Sequence, residues 1–217
     1  MEANEITEEM YQHYLSSLLS GKRLQCADMA EKMMRKQIPV KNIYAGLFQR
    51  ALYQVGELWE HNRISVAAEH MATSITEGLM NRMYPNIVSA KRIGKKILIS
   101  GVEKEQHQVG AKMVADLFEM KGWDAFYLGA GTPIHELIRF AQETKPDRIG
   151  LSLSVYFHME ELEKTVKAIR EHFPNLRMLV GGQAFRHGIP SWLKTLPEVM
   201  PVFSLDELEK RIDSGNI

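Results

Sequence analysis

The chain has 217 residues, 45% of them hydrophobic and 25% charged, which is ordinary for a folded globular protein. Basic and acidic residues number 27 each, so no net positive charge attracts phosphates, and we expect no direct nucleic-acid binding. The single cysteine, Cys26, excludes internal disulfides and thiolate metal clusters, and no run approaches the roughly 18 apolar residues of a membrane span, so we expect a cytoplasmic protein without membrane contact.

Residues 5–91 have apolar positions at spacings of three and four, which predicts helices. Breaks near residues 20–21, 37–39 and 61–63 divide this half into four segments, TEEMYQHYLSSLL, RLQCADMAEKMMRK, NIYAGLFQRALYQVGELWE and ISVAAEHMATSITEGLMNRMY. The first segment begins acidic and the second ends basic, as the helix dipole favours. The sequence therefore predicts a four-helix bundle, which we assign to residues 1–92.

After the polar hinge SAKRIGKK, short apolar or β-branched runs alternate with amphipathic helical segments. The runs are KILIS, DAFYLG, RIGLSLS, LRMLVGG and VMPVF, and Ser204 is placed to cap the last helix. This alternation predicts a Rossmann-like, flavodoxin-type parallel sheet of five strands over residues 93–217. Ligands of such sheets bind beyond the carboxyl ends of the strands, where the strand order reverses.

The loop after the first strand reads E-x-H-x-x-G, from Glu105 through His107 to Gly110. No G-x-G-x-x-G or G-x-x-x-x-G-K-[ST] motif supports nucleotide binding. A neutral imidazole offers one nitrogen to a metal while a carboxylate holds its other N–H, and Glu105 is placed to supply that carboxylate. Because one histidine is too few ligands for a structural zinc site, the loop suggests a metal carried inside a cofactor. The alternative is a surface histidine near a turn.

Three features in this order resemble the D-x-H-x-x-G, S-x-L and G-G signature of cobalamin-binding domains of the methionine synthase and mutase type. They are the histidine loop, Ser152 after the third strand, and Gly181 with Gly182 after the fourth. The resemblance implies a cobalamin cofactor with His107 as the lower cobalt ligand, in place of the cofactor's own dimethylbenzimidazole.

The same resemblance implies roles for the other positions of the signature. Glu105 would hold the histidine, and Gly110 would allow close approach of the cofactor. Ser152 would contact the benzimidazole, and the two glycines would floor the slot for the nucleotide tail. Two positions depart from the signature: Glu105 stands where aspartate is commoner, and Ser154 occupies the leucine position, where the tail packs.

The helical half resembles the cap that covers the upper face of the corrin in this family. Trp59, nine intervening residues and then Glu69-His70 are similar to the cap of the adenosylcobalamin-dependent photoreceptors, the light-responsive repressors of carotenoid genes. The resemblance implies that Trp59 lies against the upper ligand and that Glu69 accepts hydrogen bonds from ribose hydroxyls. It also implies that His70 binds cobalt from above after photolysis, with Val66 lining the pocket. Core packing of Trp59 and a merely solvated Glu69 are the alternatives.

Two functions follow from the resemblance, and neither is that of an enzyme. The first is a light sensor that holds adenosylcobalamin with its benzimidazole displaced by His107, and that changes conformation or association after the cobalt–carbon bond breaks. We expect no counterpart of the photoreceptors' DNA-binding domain, so the signal is expected to pass through a homo-oligomer or a protein partner. The alternative is a corrinoid carrier of a methyltransferase system, with methylcobalamin as cofactor. A cofactor-free or nucleotide-binding α/β module ranks last, because it leaves the histidine loop unexplained.

Overall fold

The computed structural model describes residues 6–88 and 91–217. Residues 1–5, together with Ser89 and Ala90 at the start of the predicted hinge, lie outside the described residues. The chain divides into two compact units, one ending at Ile87 and the other beginning at Val88. The predicted division lies slightly later, after residue 92, and remains a prediction.

The first unit is helical. Its elements are α1 (Glu8–Leu19), α2 (Arg23–Arg35), α3 (Val40–Ile43), a π-helical turn (Tyr44–Gln49), α4 (Arg50–Glu60), α5 (Val66–Met83) and a 3₁₀ turn (Tyr84–Asn86). Because α3, the π turn and α4 follow one another without a break, the described part of this unit contains four helical rods, as the apolar spacing predicts.

The bundle core forms where α1 packs against α2, α4 and α5. The rings of Tyr14 and Phe48 lie 5.7 Å apart, those of Tyr44 and Phe48 lie 5.9 Å apart, and all three residues are buried. The π turn was not predicted. Within this turn, Tyr44, Leu47 and Phe48 are all buried in the core. No described helix is both long and apolar enough to cross a bilayer.

The second unit is a parallel sheet with helices between its strands. The strands are β1 (Lys96–Gly101), β2 (Asp124–Tyr127), β3 (Arg148–Ser152), β4 (Arg177–Gly181) and β5 (Val199–Val202). The helices are α6 (Val109–Met120), α7 (Ile134–Thr144), α8 (Met159–His172) and α9 (Leu205–Asp213), with short 3₁₀ turns at Tyr156–His158, Gln183–His187 and Leu193–Thr195. Ser204 caps α9, as predicted, by accepting the Glu207 N–H at 3.1 Å.

The strand order is β2-β1-β3-β4-β5, and every neighbouring pair is parallel, which confirms the predicted flavodoxin-type sheet. The chain moves outward from β1 to β2 and then returns to the other side of β1 with β3, so the order reverses between β1 and β3. The register pairs Ser152 with Gly101 on one side and with Gly181 on the other. The loops that carry the predicted site residues of this unit therefore leave the sheet at one level.

Candidate cofactor-binding site

The imidazole of His107 is held by the carboxylate two residues before it. Its Nδ1 lies 2.6 Å from Oε1 of Glu105, and the same oxygen accepts the backbone N–H of His107 at 2.9 Å. A carboxylate accepts hydrogen bonds, so the proton of the neutral ring belongs on Nδ1 and the lone pair on Nε2. Glu105 is completely buried, whereas the side chain of His107 is half exposed. The pair thus presents the tautomer that a metal ligand requires.

The second oxygen of Glu105 reaches the loop that follows β3. Oε2 accepts the backbone N–H groups of Ser154 at 2.7 Å and of Val155 at 3.1 Å. This one side chain therefore joins the loops after β1 and β3 across the point where the strand order reverses. Ser154, at the leucine position of the signature, contributes its backbone here. The sequence does not reveal this role, because every residue except proline has an N–H group.

The ionisation of Glu105 follows from these bonds. Burial raises the pKa of a carboxyl group, but the hydrogen bonds from the His107 ring and from the backbone of His107, Ser154 and Val155 outweigh burial and lower the pKa of Glu105 to about 2. The group is thus a carboxylate at neutral pH. A buried anion surrounded by N–H donors is a rigid support for the ring beside it.

The other side of the histidine loop is fixed by β2 and the segment after it. The hydroxyl of Tyr127 donates to the carbonyl of Gln108 at 2.9 Å, and Gly101 donates its N–H to the carbonyl of Gly129 at 2.8 Å. Gly110 lies in the first turn of α6, and a Cβ added there would have no atom within 4 Å. The space beside Gly110 is therefore open. Tyr127 was not singled out from the sequence, because a tyrosine at the end of a strand has no distinctive signature.

Steric contacts explain why residues 181 and 182 are glycines. A Cβ on Gly181 would lie 2.9 Å from the carbonyl oxygen of Val202, and one on Gly182 would lie 2.2 Å from that of Leu153. These are backbone contacts that a side chain cannot relieve by rotating. Both glycines let the loop after β4 approach its neighbours closely, and Ser152 ends β3 beside them. Their predicted contacts with a nucleotide tail stay predictions.

In the helical unit, Trp59 belongs to the last turn of α4, and 43% of the residue is exposed. Val66 begins α5 and is also exposed. Plain core packing, the alternative reading of Trp59, therefore does not describe its place in the bundle.

Glu69 and His70 form a second carboxylate–imidazole pair, in the first two turns of α5. Oε2 of Glu69 lies 2.6 Å from Nδ1 of His70, and its Oε1 accepts the hydroxyl of Thr73 at 2.9 Å. The side chain of Glu69 is mostly covered, with 19% exposed, while that of His70 is 75% exposed. Glu69 is thus not a merely solvated carboxylate. The contact favours the same tautomer as at His107, with the lone pair on Nε2.

The donor set at His107 fits a cobalt ion held in a corrin. Within residues 6–88 and 91–217, no three side chains of histidine, cysteine, aspartate or glutamate come together as metal ligands. His107 offers one imidazole nitrogen, and a metal carried inside a cofactor would need no further ligand from these side chains. The open space at Gly110 is consistent with a large flat ligand beside this ring.

Two family models for cobalamin binding match this chain. Residues 95–197 match the B12 binding domain, and residues 10–84 match a second model described as a B12 binding domain. The chain carries a pair of B12-binding domains. The prediction of a cobalamin-binding protein is thereby confirmed, while the form of the cofactor remains a prediction.

The relatives of this chain include a corrinoid protein and a transcriptional repressor. Dimethylamine corrinoid protein 2 of Methanosarcina acetivorans is 25% identical over 181 residues, which cover 81% of this chain and 82% of that protein. The HTH-type transcriptional repressor CarH of Myxococcus xanthus is 26% identical over 162 residues, which cover 74% of this chain but 53% of the repressor. The two relatives are thus matched at nearly equal identity.

A solved structure confirms the fold. The Methanosarcina barkeri monomethylamine corrinoid protein superposes with a TM-score of 0.80 at 13% identity, covering 98% of this chain and 100% of that one. An N-terminal helical unit followed by a Rossmann-like sheet is thus the architecture of both.

Proposed function

We propose that this chain is a corrinoid carrier protein, which holds cobalamin with His107 as the lower cobalt ligand and presents a methyl group to methyltransferases. The observation that carries the proposal is the contact of 2.6 Å between Nδ1 of His107 and Glu105, at the reversal point of the sheet. The extent of the similarity favours a carrier over the sensor. The corrinoid relative is matched over 82% of its length, whereas the repressor is matched over 53%.

Each residue of the site has a task in this proposal. Nε2 of His107 would hold the cobalt of the cofactor, and Glu105 fixes the ring and its tautomer. Gly110 leaves room for the corrin edge, because no atom lies within 4 Å of a Cβ there. Ser152, Gly181 and Gly182 line the slot for the nucleotide tail. Bound methylcobalamin supplies a cobalt–carbon bond whose methyl group can be transferred, so the chain is a carrier and its partners are the enzymes.

A light sensor is the second candidate, and the helical unit is the reason to keep it. Trp59 presents an exposed indole, and Glu69 with His70 forms an ordered pair next to Val66 at the start of α5. These residues suit an adenosyl group, since a carboxylate oxygen accepts more than one hydrogen bond and can take ribose hydroxyls as well. In this case adenosylcobalamin would be the cofactor, and His70 would be the residue that holds cobalt once the adenosyl group is lost. A homo-oligomer or a protein partner then receives the signal.

Upper-ligand preference and the response to light separate the two candidates. The protein is loaded in the dark with methylcobalamin or adenosylcobalamin, and the affinity and the mass in solution are measured before and after green light. A carrier binds methylcobalamin at least as tightly as adenosylcobalamin, and its association state does not respond to light. Preference for adenosylcobalamin together with a light-dependent change of mass would overturn the carrier proposal in favour of the sensor.

The His70→Ala variant sharpens this comparison. In a carrier the variant gives the same spectrum after illumination as the parent, because His107 alone ligates cobalt. In a sensor the photoproduct changes, since the upper ligand is lost. His13→Ala removes another exposed histidine of the helical unit and serves as the control.

A further inference from the structure

We infer that the backbone of the loop after β3 positions the cobalt-ligating ring, with Glu105 as the connecting group, and that a glutamate rather than an aspartate is required at this position. Glu105 is a positioning residue here, because it acts on cobalt through His107. The inference rests on the proposed ligation by His107, and it assigns to Ser154 and Val155 a role that their side chains do not carry.

The geometry divides the carboxylate between two loops. Oε1 accepts both hydrogen bonds from His107, at 2.6 and 2.9 Å. Oε2 accepts the N–H groups of the adjacent residues Ser154 and Val155, at 2.7 and 3.1 Å. Because both oxygens belong to one planar carboxylate, the group cannot move toward one loop without lengthening the hydrogen bonds to the other. The orientation of the His107 ring is therefore coupled to the position of two backbone amides about 50 residues away in sequence.

The two amides belong to a segment that is fixed from its other side. Leu153 is fully buried, donates its N–H to the carbonyl of Gly181 at 2.9 Å, and accepts the N–H of Ala184 at 3.2 Å. Gly182 lies against the same carbonyl. The sheet core and the loop after β4 thus set where the N–H groups of residues 154 and 155 point. They are a fixed anchor to which the carboxylate is fitted.

The length of the side chain at position 105 determines whether its carboxylate can reach both loops. Aspartate is shorter by one C–C bond, about 1.5 Å. The four bonds at Glu105 already lie near the normal hydrogen-bond range of about 2.7–3.2 Å, so there is little slack to absorb that loss. Glu105→Asp would restore the residue that is commoner in the family signature. In this chain it must release either the ring or the loop.

Two kinds of variant test this coupling. Glu105→Asp shortens the side chain, and Glu105→Gln replaces one acceptor oxygen with an NH₂ group that faces N–H donors. Val155→Pro removes one donor from the other side, at a residue whose φ of −91° lies about 10° beyond the usual range of proline. Val155→Ala keeps the N–H and is the matched control for loss of the valine side chain.

Three measurements read the outcome. Hydroxocobalamin should bind about 10–100-fold more weakly to Glu105→Asp, Glu105→Gln and Val155→Pro, the range typical for loss of a group that orients a metal ligand. The electron paramagnetic resonance spectrum of bound cob(II)alamin should lose the uniform nitrogen splitting of the parent protein. In the cofactor-free protein, the amides of residues 154 and 155 should exchange with deuterium faster in Glu105→Asp. Val155→Ala should stay close to the parent in all three.

The outcomes are separable. If the parent protein itself shows no histidine nitrogen on cobalt, the proposed function fails, whereas amide exchange in the cofactor-free protein still reports on the contact with Glu105. If the parent shows the histidine signal and Glu105→Asp matches it in affinity, spectrum and amide exchange, the coupling inference is overturned. Thermal melts verify that each variant is folded, and the Val155 pair decides the matter should Glu105→Asp not fold.

Discussion

Gly182 lies so close to Leu153 that a Cβ added to the glycine would approach the leucine carbonyl oxygen to 2.2 Å. Its φ of +115° also lies in a region that residues with a side chain rarely adopt. The same carbonyl oxygen accepts the N–H of Ala184, so the loops after β3 and β4 are joined at this point. The glycine is therefore needed for the fold, whether or not it also lines a slot for the cofactor tail.

Gly182→Ala should destabilise the cofactor-free protein by about 3 kcal/mol or more, because backbone strain of about 1–3 kcal/mol is added to a clash with a carbonyl. Chemical denaturation of the cofactor-free protein measures this change in the free energy of unfolding. An effect below about 1 kcal/mol would mean that the two loops can separate without cost.

Gly110→Ala is the contrasting substitution. A Cβ at this residue meets no atom within 4 Å, and alanine is favoured over glycine in a helix by up to about 1 kcal/mol. The cofactor-free protein should thus be equally stable or slightly more stable, while cobalamin binding weakens because the methyl group occupies space left for the corrin. Isothermal titration with hydroxocobalamin checks the second part, and unchanged affinity would contradict the role given to Gly110.

Glu105 should make the stability of the cofactor-free protein depend on pH. Its pKa is lowered from 4.5 to about 2 in the folded chain, so the folded state releases this proton more readily than the unfolded state does. The resulting stabilisation is complete above pH 4.5 and is lost as the pH falls toward 2, by about 3 kcal/mol. Urea unfolding at several pH values should show the advantage of the parent over Glu105→Gln shrinking with acid. A pH-independent difference would be inconsistent with this ionisation.

Cys26 should be unreactive in the folded protein. The residue is completely buried, and burial raises the pKa of its thiol to about 11, so very little thiolate exists at pH 8. A disulfide reagent should therefore react only when the helical unit opens, and rapidly in denaturant. Fast reaction of the native protein would show that the bundle around α2 is open in solution.

Alanine substitutions of Trp59 and Phe48 compare an exposed with a buried aromatic residue of the helical unit. Phe48 is completely buried, whereas Trp59 is 43% exposed. Phe48→Ala should cost about 3–5 kcal/mol of unfolding free energy, and Trp59→Ala should cost clearly less. Trp59→Ala should instead change the rate at which light cleaves bound adenosylcobalamin, if the indole covers the upper ligand. Equal stability losses would place Trp59 in the core after all.

Much of the fold could be predicted because the two halves of the sequence have different patterns of apolar residues. Apolar spacings of three and four gave the helical rods, and the five apolar runs gave the strands at the observed places. The π turn at Tyr44–Gln49 could not be predicted, since one wider turn leaves the apolar spacing nearly unchanged over so short a stretch.

Part of the candidate site could also be predicted from the sequence, and part could not. Parallel strands present their carboxyl ends at one edge, so His107, Ser152 and Gly181 could be placed near one another from the strand pattern alone. The contact of Glu105 with the amides of Ser154 and Val155 could not, because backbone donors have no sequence signature and the partners are separated by about 50 residues. The steric reason for Gly182 is likewise a property of the loop path.

The proposed function requires that Nε2 of His107 binds cobalt, and isotope labelling of histidine tests this bond. The electron paramagnetic resonance spectrum of bound cob(II)alamin is recorded for protein made with ordinary histidine, for protein made with histidine carrying the heavy nitrogen isotope, and for His107→Ala. We predict a nitrogen triplet that becomes a doublet on labelling and is absent in His107→Ala. A triplet that persists with labelled histidine, or that survives in His107→Ala, would contradict it.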